Sequence, residues 1–402
     1  MKAGWTTERL GDLAEFKPPK SEARKQLSET AEVTFLPMED LGVAVKYPVP
    51  KHVRRLDEVV GNYTYFADGD LLLAKITPCF ENGKLGIARG LRNGIGFGSS
   101  EFFVIRPGPS LSGEWLFYFL SQDCFRMEGA RRMGGAVGQQ RLPREFVEQS
   151  EIPLPPLPEQ RRIVDLLDRA FEGLAVAAAN AEKNLENARE LFESHLSDVF
   201  TRRGEHWVET TLGECTRFID YRGKTPVKTK SGLRLITAKN VKMGYLQRAP
   251  EEFVAPDSYA KWMTRGIPAR GDVIFTTEAP LANVALLDTD ERVVFAQRII
   301  VLQPDRTRLD GAYLKYMLQS APLQASIHAH GTGATVQGIK ASLLKNIPAC
   351  FPAGLSMQVS VVRLLDAMFA ESQRLAQRYI QKHAELAALK RSLLHQAFNG
   401  EL

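Results

Sequence analysis

The chain has 402 residues, of which 44% are hydrophobic and 25% charged, and this balance excludes a disordered protein. No apolar run approaches the roughly 18 residues of a membrane helix, and the chain does not begin with a signal-peptide pattern. The four cysteines are scattered without a CxxC pair, which predicts reduced, half-buried thiols in a cytoplasmic protein and no metal site.

The net charge of +5 is distributed unevenly along the chain. Residues 159–201 carry −4 and residues 356–402 carry +2, so the rest of the chain carries +7. This distribution suits two helical segments that face each other and globular parts that face a polyanion.

The first 150 residues have the pattern of a mixed domain rich in strands. Short apolar runs bounded by turn residues predict strands at 33–36, 71–74 and 101–105. Residues 115–124 predict one short amphipathic helix, and a glycine-rich loop follows at 134–141.

A proline-rich segment from Glu151 to Pro158 ends where a long helical pattern begins. Apolar residues then recur in steps of three and four up to Phe200 and form one continuous seam. About 42 residues make a helix on the order of 60 Å long, which must pack its seam against a partner. The residues assigned to this seam are Ile163, Leu167, Phe171, Leu174, Leu185, Phe192, Leu196 and Phe200.

The same helical pattern returns 198 residues later and supplies that partner. The first copy contains Gln160, Leu166, Asp168, Phe171 and Leu191, which return as Gln358, Leu364, Asp366, Phe369 and Leu389. The seam of the second helix is assigned to Val362, Leu365, Phe369, Leu394 and Phe398. Two long helices at one spacing indicate an internal duplication.

The globular segments are duplicated as well. Trp5-x4-Leu10-Gly11 returns as Trp207-x4-Leu212-Gly213, and the glycine-rich loop returns at 331–338. Between such anchors the two copies differ widely. The first helix leads from one head to the other, and the second must run back along it to bury its seam.

The sequence therefore predicts an α+β fold in which two globular heads are joined by two long antiparallel coiled-coil helices, with a pseudo-twofold internal repeat. The predicted boundaries are 1–150 for the first head, 151–203 for the first long helix, 204–346 for the second head and 347–402 for the second long helix.

Catalytic motifs are absent from this sequence. Gly223-Lys224-Thr225 ends like a phosphate-binding loop, but Phe218 occupies the position of its first glycine. The Asp/Asn-Pro-Pro-aromatic tetrad of a nucleic-acid methyltransferase does not occur, and His328-x-His330 is an isolated pair. We therefore assign no catalytic residue and no cofactor to this chain.

Polar and basic clusters in predicted turns favour DNA binding instead. In the second head, the candidates are Tyr221, Arg222, Lys224, Thr225, Lys239, Asn240, Lys242, Gln337 and Lys340. In the first head, they are Lys17, Lys20, Arg54, Arg55, Lys75, Lys84, Arg131, Arg132, Gln139 and Arg141.

The duplicated segment IPLPPLPEQRRIVDLLD resembles the conserved region of specificity subunits of type I restriction–modification systems. In the second half, YRGKTP, LITAKNV, GDVIFTTEAPLANVA and GTGATVQGIKASLLKNIP resemble one target-recognition domain of that family. The second proline segment departs from the first, because Ala353-Gly354-Leu355-Ser356-Met357-Gln358 replaces PPLPEQ.

The resemblance implies that each head reads one half of a split, asymmetric target in double-stranded DNA and that the helices set the gap between the halves. It also implies two methyltransferase subunits as partners, together with two motor-nuclease subunits in a restriction complex. AdoMet, ATP and magnesium would belong to those partners, and no membrane is involved. Two other readings are a single-chain enzyme, which the missing motifs oppose, and a coiled-coil scaffold without nucleic-acid binding.

Overall fold

The structure is a computed structural model that describes residues 4–43, 45–136, 138–202, 204–221, 226–333 and 336–402. The chain divides into two compact units. Unit 1 contains Met1–Ala181 and Gln381–Leu402, and unit 2 contains Glu182–Ile380. Each unit therefore combines one head with parts of both long helices.

The strands of unit 1 are β1 (Thr6–Arg9), β2 (Ala14–Phe16), β3 (Glu32–Leu36), β4 (His52–Arg55), β5 (Thr64–Ala67), β6 (Leu71–Ala74), β7 (Leu85–Ile87), β8 (Ile95–Gly98), β9 (Phe102–Pro107) and β10 (Glu151–Leu154). Its short helices are α1 (Leu10–Leu13), α2 (Ser21–Gln26), α3 (Leu56–Val59), α4 (Gly113–Leu120), α5 (Asp123–Arg132) and α6 (Arg144–Glu148). The predicted strands at 33–36, 71–74 and 101–105 are thus confirmed as β3, β6 and β9.

The first long helix, α7 (Leu157–Thr201), begins in unit 1 and ends in unit 2. In unit 2 the strands are β11 (Trp207–Thr211), β12 (Thr216–Asp220), β13 (Lys228–Thr229), β14 (Leu233–Ile236), β15 (Val241–Lys242), β16 (Tyr245–Leu246), β17 (Phe253–Val254), β18 (Val273–Thr277), β19 (Leu281–Leu286), β20 (Val293–Phe295), β21 (Ile299–Pro304) and β22 (Pro348–Pro352). The helices are α8 (Leu212–Cys215), α9 (Tyr259–Trp262), α10 (Gly311–Gln319), α11 (Ala321–Ala329), α12 (Ala341–Lys345) and the second long helix, α13 (Leu355–Asn399).

The two units repeat one sheet plan. Unit 1 has an antiparallel sheet of order β2-β9-β6-β7 and a mixed sheet of order β4-β3-β8-β5, in which β3 and β8 are parallel. Unit 2 has sheets of order β12-β21-β18-β19 and β13-β17-β14-β20, in which β14 and β20 are parallel. The β1-β10 pair of unit 1 corresponds to the β11-β22 pair of unit 2. The mixed sheets differ in one strand, since β5 lies beside β8 in unit 1 whereas β13 lies beside β17 in unit 2. The rest of the sheet topology is duplicated.

A buried aspartate holds the same tight turn in both units. The Asp70 carboxylate accepts a hydrogen bond from the Ala67 amide at 2.8 Å, and Asp272 does the same for Ala269 at 2.8 Å. Both aspartates are only 1% exposed. The Arg106 guanidinium binds both oxygens of Asp70, at 2.7 and 2.9 Å, because a buried carboxylate needs a compensating charge.

The ends of the long helices follow from local sequence. Helix α7 begins directly after Pro155-Pro156, and Pro158 lies in its first turn, where a missing N–H costs no intrahelical hydrogen bond. Helix α13 begins after Gly354 and ends at Asn399, and Gly400 follows in the left-handed region at φ +76. A glycine at that position is a common helix terminator.

The long helices run antiparallel within each unit. In unit 1, Arg162 donates to the Leu402 carbonyl oxygen at 2.9 Å and Phe171 lies 5.1 Å from the Lys390 ammonium. In unit 2, the Ser372 hydroxyl donates to the Ala188 carbonyl oxygen at 2.6 Å, and the Phe369 ring lies 5.1 Å from that of Phe192. Rising numbers on one helix meet falling numbers on the other in each unit, which confirms the predicted antiparallel pairing.

The predicted seam is buried for most of its residues. Ile163, Leu167, Leu196, Val362, Leu365, Leu394 and Phe398 are buried, and Phe171, Leu174, Leu185, Phe192 and Phe200 are half-buried. Phe369 is the exception, since it remains 38% exposed although its ring lies 5.1 Å from that of Phe192. The end of α13 also contributes to the core of unit 1, where the Phe398 ring lies 4.2 Å from that of Trp115.

A buried glutamine attaches each head to a long helix. Gln160 accepts from the Ser112 amide at 2.8 Å and donates to the carbonyl oxygens of Ser110 and Pro155 at 2.9 and 2.8 Å. Gln358 makes the equivalent three bonds in unit 2, to the Asp310 amide and to the carbonyls of Arg308 and Pro352, each at 2.8 Å. The contact therefore survives the loss of the prolines in the second copy.

Two expectations about local structure are corrected. The single helix predicted at 115–124 is two helices, α4 and α5, because the chain breaks helical geometry at Gln122 (φ −65, ψ 142). The cysteines are all free, but only Cys79 and Cys350 are half-buried as expected, since Cys124 is exposed and Cys215 is buried. Among the described residues, no helix has the length and apolar character to span a membrane.

Candidate nucleic-acid interface

The glycine-rich loop of unit 1 lies beside the end of strand β6. Gly134 and Arg141 pair across the base of the loop, with N–H to carbonyl distances of 3.0 and 2.8 Å. Arg141 also forms a β-bridge with Ile76, and the Leu142 amide donates to the Lys75 carbonyl at 2.8 Å. The loop, which the sequence places far from β6, is thus attached to its edge, and Gln139 is exposed on it.

A cleft of about 430 Å³ opens next to this attachment. We call it the lysine cleft, because Lys17, Lys20 and Lys75 line it together with Arg144, Phe16, Tyr63 and Phe103. Lys17 has a left-handed backbone at φ +56, which is uncommon for a residue with a side chain. Three of the predicted first-head cations therefore converge on one depression.

Backbone carbonyls hold two of these lysines in position. The Lys20 ammonium donates to the carbonyl oxygens of Val60 and Gly61, both at 3.0 Å. The Lys75 ammonium donates to the Ser100 carbonyl oxygen at 2.9 Å. A carbonyl orients an ammonium group without neutralising its charge, so that charge remains available to an anion.

Aromatic rings line the same region. The Lys75 ammonium lies 5.5 Å from the centre of the Phe103 ring, and the Arg144 guanidinium lies 5.5 Å from that of Phe16. Beyond the cleft, the Arg54 guanidinium stacks 4.0 Å from the Phe35 ring. Cations that alternate with aromatic faces are typical of surfaces that bind nucleic acids.

Burial and neighbouring positive charges lower the pKa values of two lysines in the cleft. Burial lowers the pKa of Lys20, and the nearby Lys17 and Arg24 lower it further. Burial also lowers the pKa of Lys75; Glu101 opposes this effect, while Arg141 and Lys17 add to it. Glu101 itself is bound by Arg141, at 2.9 and 3.0 Å, which holds the pKa of Glu101 below its usual value.

Other predicted cations of the first head have partners of their own. Arg55 pairs with Asp57 at 2.5 Å, and Arg131 and Arg132 pair with Glu128 at 3.6 and 2.9 Å. Lys84 donates to the Met38 carbonyl at 2.7 Å. The structure thus separates these residues from the lysine cleft. Arg144, the first residue of α6, was missed because its local sequence offers no signal; it pairs with Glu148 at 2.7 Å.

Unit 2 places its glycine-rich loop in the equivalent position. Thr332 and Gly338 pair across the base of the loop, Glu278 forms a β-bridge with Gly338, and the Ile339 amide donates to the Thr277 carbonyl at 3.0 Å. A cavity of about 300 Å³ lies there, lined by Lys340 and by the ion pair of Arg298 with Glu278 at 3.0 Å. The position is repeated, but the side chains differ.

Two candidates of the second head are corrected. Asn240 is fully buried. Its side-chain oxygen accepts hydrogen bonds from the Thr237 amide and hydroxyl, and its side-chain nitrogen donates to backbone carbonyls such as that of Pro250 at 2.9 Å. Tyr221 is 5% exposed and donates its hydroxyl to the Gly266 carbonyl. Both residues use their polar groups within unit 2, so neither has the exposed polar group that the sequence led us to expect.

The remaining second-head candidates have varied positions. Lys239 and Lys340 are exposed, and Lys242 is half-buried. Gln337 is exposed but binds His328, through its side-chain nitrogen to the His328 carbonyl at 2.8 Å. Arg222, Lys224 and Thr225 lie outside the described residues.

Comparisons with known proteins agree with this architecture. The family model for the type I restriction modification DNA specificity domain matches residues 2–186. The EcoAI specificity subunit of Escherichia coli is 37% identical over 162 residues, which cover 40% of this chain and 27% of that protein. The EcoEI specificity subunit of Escherichia coli is 38% identical over 165 residues, which cover 41% and 27%. These matches thus span about a quarter of the length of the curated relatives.

Two solved structures have the same fold. One, from work on complex assembly and conformational transition of the type I restriction–modification system, gives a TM-score of 0.81 at 20% identity and covers 100% of this chain and 99% of the other. The HsdS subunit from Thermoanaerobacter tengcongensis gives 0.68 at 19% identity and covers 100% and 98%.

The chain is therefore a duplicated α+β protein whose first copy matches a DNA specificity domain. Residues 2–186 are thus similar to the DNA specificity domain of type I restriction–modification systems, and the chain shares the fold of the HsdS subunit from Thermoanaerobacter tengcongensis.

Proposed function

We propose that this chain is the DNA-reading subunit of a type I restriction–modification complex and that each head reads one half of a bipartite, asymmetric target. The observation that carries the proposal is the repetition of one sheet plan and one loop position with different side chains beside the loop. A shared frame gives both heads the same way of docking on a duplex, and different contents give them different half-sites.

In this proposal the paired long helices set the gap between half-sites and bind the partner subunits. The binding of partner subunits is supported by leucines of the long helices that lie outside the seam. Leu166 and Leu191 are 40% and 51% exposed, and their repeats Leu364 and Leu389 are 54% and 46% exposed. Large apolar side chains exposed at repeated positions are typical of surfaces that a partner covers.

The proposed partners are double-stranded DNA, two methyltransferase subunits and, in a restriction complex, two motor-nuclease subunits. AdoMet, ATP and magnesium are assigned to those subunits, and catalysis is assigned to them as well. The second sequence-level alternative, a scaffold that does not bind DNA, receives no support from the family match of residues 2–186.

Single-molecule methylome sequencing of host DNA, with and without this chain, tests the proposal. We expect a split motif that is methylated on both strands and disappears when the chain is deleted. An unchanged methylome in a host whose methyltransferase partner is expressed and active would contradict the proposal.

The length of the helices provides a second test. Removing seven residues from α7 and seven from the facing part of α13 shortens the pair by about 10 Å while keeping the heptad register. At 3.4 Å per base pair, the gap between half-sites should shrink by about three base pairs. Insertion of seven residues into both helices is the matched control and should lengthen the gap. A motif with an unaltered gap would refute the spacer role.

A further inference from the structure

The lysine cleft brings three lysines together on one depression of unit 1. Within the described part of the chain, Lys17, Lys20 and Lys75 have no carboxylate within 4.0 Å of the ammonium group. Lys20 and Lys75 are fixed by carbonyl oxygens instead. The cleft therefore concentrates positive charge that no carboxylate pairs directly, although Glu101 acts on Lys75 from a longer distance.

Positive charge concentrated in the cleft costs free energy in the unbound protein, since Lys17 disfavours the charged forms of Lys20 and Lys75. An anion bound among them would remove that cost and restore the pKa values of Lys20 and Lys75 that burial lowers. The arrangement is thus prepared for a compact anion with several acceptor oxygens.

We infer that Lys17, Lys20 and Lys75 bind phosphodiester groups of the DNA backbone and thereby fix the register of the first head on the duplex. This inference rests on the proposed function and adds the surface that the first head uses. The three lysines would position the protein, while base identity would be read elsewhere on the head.

The shape of the cleft favours a nucleic-acid strand as the source of the phosphate. Its volume of about 430 Å³ exceeds what a single phosphate group needs, and the rings of Phe16, Tyr63 and Phe103 line it. Such rings offer apolar contacts to a sugar or a base next to the bound phosphate. The glycine-rich loop is attached at the same edge through the Leu142 amide and the Lys75 carbonyl, so a strand in the cleft would meet that loop.

The test compares three glutamine substitutions, Lys17→Gln, Lys20→Gln and Lys75→Gln, with a matched control in the full-length chain. The control is the Lys51→Gln and Arg92→Gln double variant, because both residues are exposed cations of unit 1 that pair with a carboxylate, Asp40 and Glu32 respectively. Affinity for a duplex with the target motif and for a scrambled duplex is measured from 50 to 200 mM salt. The urea midpoint of each variant verifies that it is folded.

The plot of log affinity against log salt has a negative slope. We expect its magnitude to decrease by about 0.9 for each lysine that contacts a phosphate. For the triple variant, this corresponds to a loss on the order of a hundredfold at 0.1 M salt, equal for both duplexes. The methylated motif should keep its sequence. The control should retain the wild-type slope.

A triple variant with the wild-type salt slope would overturn the inference, and so would a changed motif, since backbone contacts carry no base identity. Displacement of the duplex by a deoxynucleoside monophosphate at millimolar concentration would identify a free-nucleotide site and would also overturn it. A wild-type chain that binds both duplexes equally would contradict the proposed function instead, while the salt slopes would still test the cleft.

Discussion

The Tyr316 hydroxyl lies 2.5 Å from Oδ1 of Asp366 and donates a hydrogen bond to it, from helix α10 to the long helix α13. Tyr118 and Asp168, which lie 198 residues earlier, make the same contact between α4 and α7. Lysines accompany both contacts: Lys46 binds Asp168 in unit 1, and the Lys315 ammonium lies 3.7 Å from the Tyr316 ring in unit 2. This contact, like the buried glutamine, attaches a head to a long helix in each unit.

Substituting Tyr316→Phe removes the hydroxyl that Asp366 accepts from and leaves the ring in place. We expect the free energy of unfolding to fall by about 1–2 kcal/mol. Hydrogen bonds to charged groups contribute more to stability than neutral ones, but the exposure of Asp366 limits this contribution. Urea unfolding of the full chain measures this change. An unaltered free energy would show that the contact does not stabilise the fold.

Tyr313, one turn earlier on α10, should behave in the opposite way. It is fully buried, and its hydroxyl has no hydrogen-bond partner among the described residues. Tyr313→Phe removes a polar group that is buried without compensation, so we expect stability to rise by about 1 kcal/mol. Tyr316→Phe is the matched control on the same helix. A loss of stability in Tyr313→Phe would indicate that the hydroxyl has a partner.

The buried amide of Gln160 should contribute strongly to stability. Gln160→Met would leave the Ser112 amide and the carbonyls of Ser110 and Pro155 unpaired in a buried site. We expect a loss on the order of 3 kcal/mol in the free energy of unfolding, since each unsatisfied buried group costs about 1 kcal/mol or more. Gln139→Met, at an exposed position, should change stability by less than about 0.5 kcal/mol. Equal effects of the two substitutions would contradict this assignment.

Arg106 neutralises the buried carboxylate of Asp70. Arg106→Met leaves that carboxylate without its countercharge, and we expect a loss of about 3–5 kcal/mol, as for other broken buried ion pairs. Arg92→Met is the control, because Arg92 and Glu32 form an exposed pair at 3.1 Å that should contribute less than about 1 kcal/mol. Chemical unfolding of both variants measures the difference, and similar losses would refute the buried-charge explanation.

Stability should decline at alkaline pH because of buried tyrosines. Burial raises the pKa of Tyr65 to about 12, and burial likewise raises the pKa of Tyr47 to about 12. An unfolded tyrosine ionises near pH 10, so between about pH 10 and pH 12 the unfolded chain binds fewer protons than the folded one. The stabilisation that these tyrosines contribute is therefore fully present below about pH 10 and is lost as the pH rises through 12.

The Tyr65→Phe variant separates this contribution from the titration of other groups. Unfolding free energies of the wild type and the variant should run parallel up to about pH 9, and the wild type should fall more steeply above pH 10. Parallel curves over the whole range would contradict the raised pKa of Tyr65.

Elements with a strong local pattern could be predicted from the sequence alone. The long helices followed from the spacing of Ile163, Leu167 and the later seam residues. Apolar residues spaced by three and four positions lie on one face only in a helix. The strand Leu71–Ala74 followed from its apolar run, and the duplication followed from the 198-residue offset. The helix at 115–124 was only partly right, since its break at Gln122 has no glycine or proline signal.

The tertiary structure decided which polar residues are free to act. Arg141 looked like a free cation of the glycine-rich loop, but Glu101, 40 positions away, binds it with two hydrogen bonds. Asn240 looked exposed because asparagine favours turns, but it is fully buried and its amide is used up by the turn itself. Lys17, Lys20 and Lys75 are spread over 59 residues and meet in one cleft. A local sequence pattern determines which helices and strands form, because it encodes their local geometry. Whether a charged or polar side chain is paired depends on residues that are distant in sequence and that only the folded chain brings close.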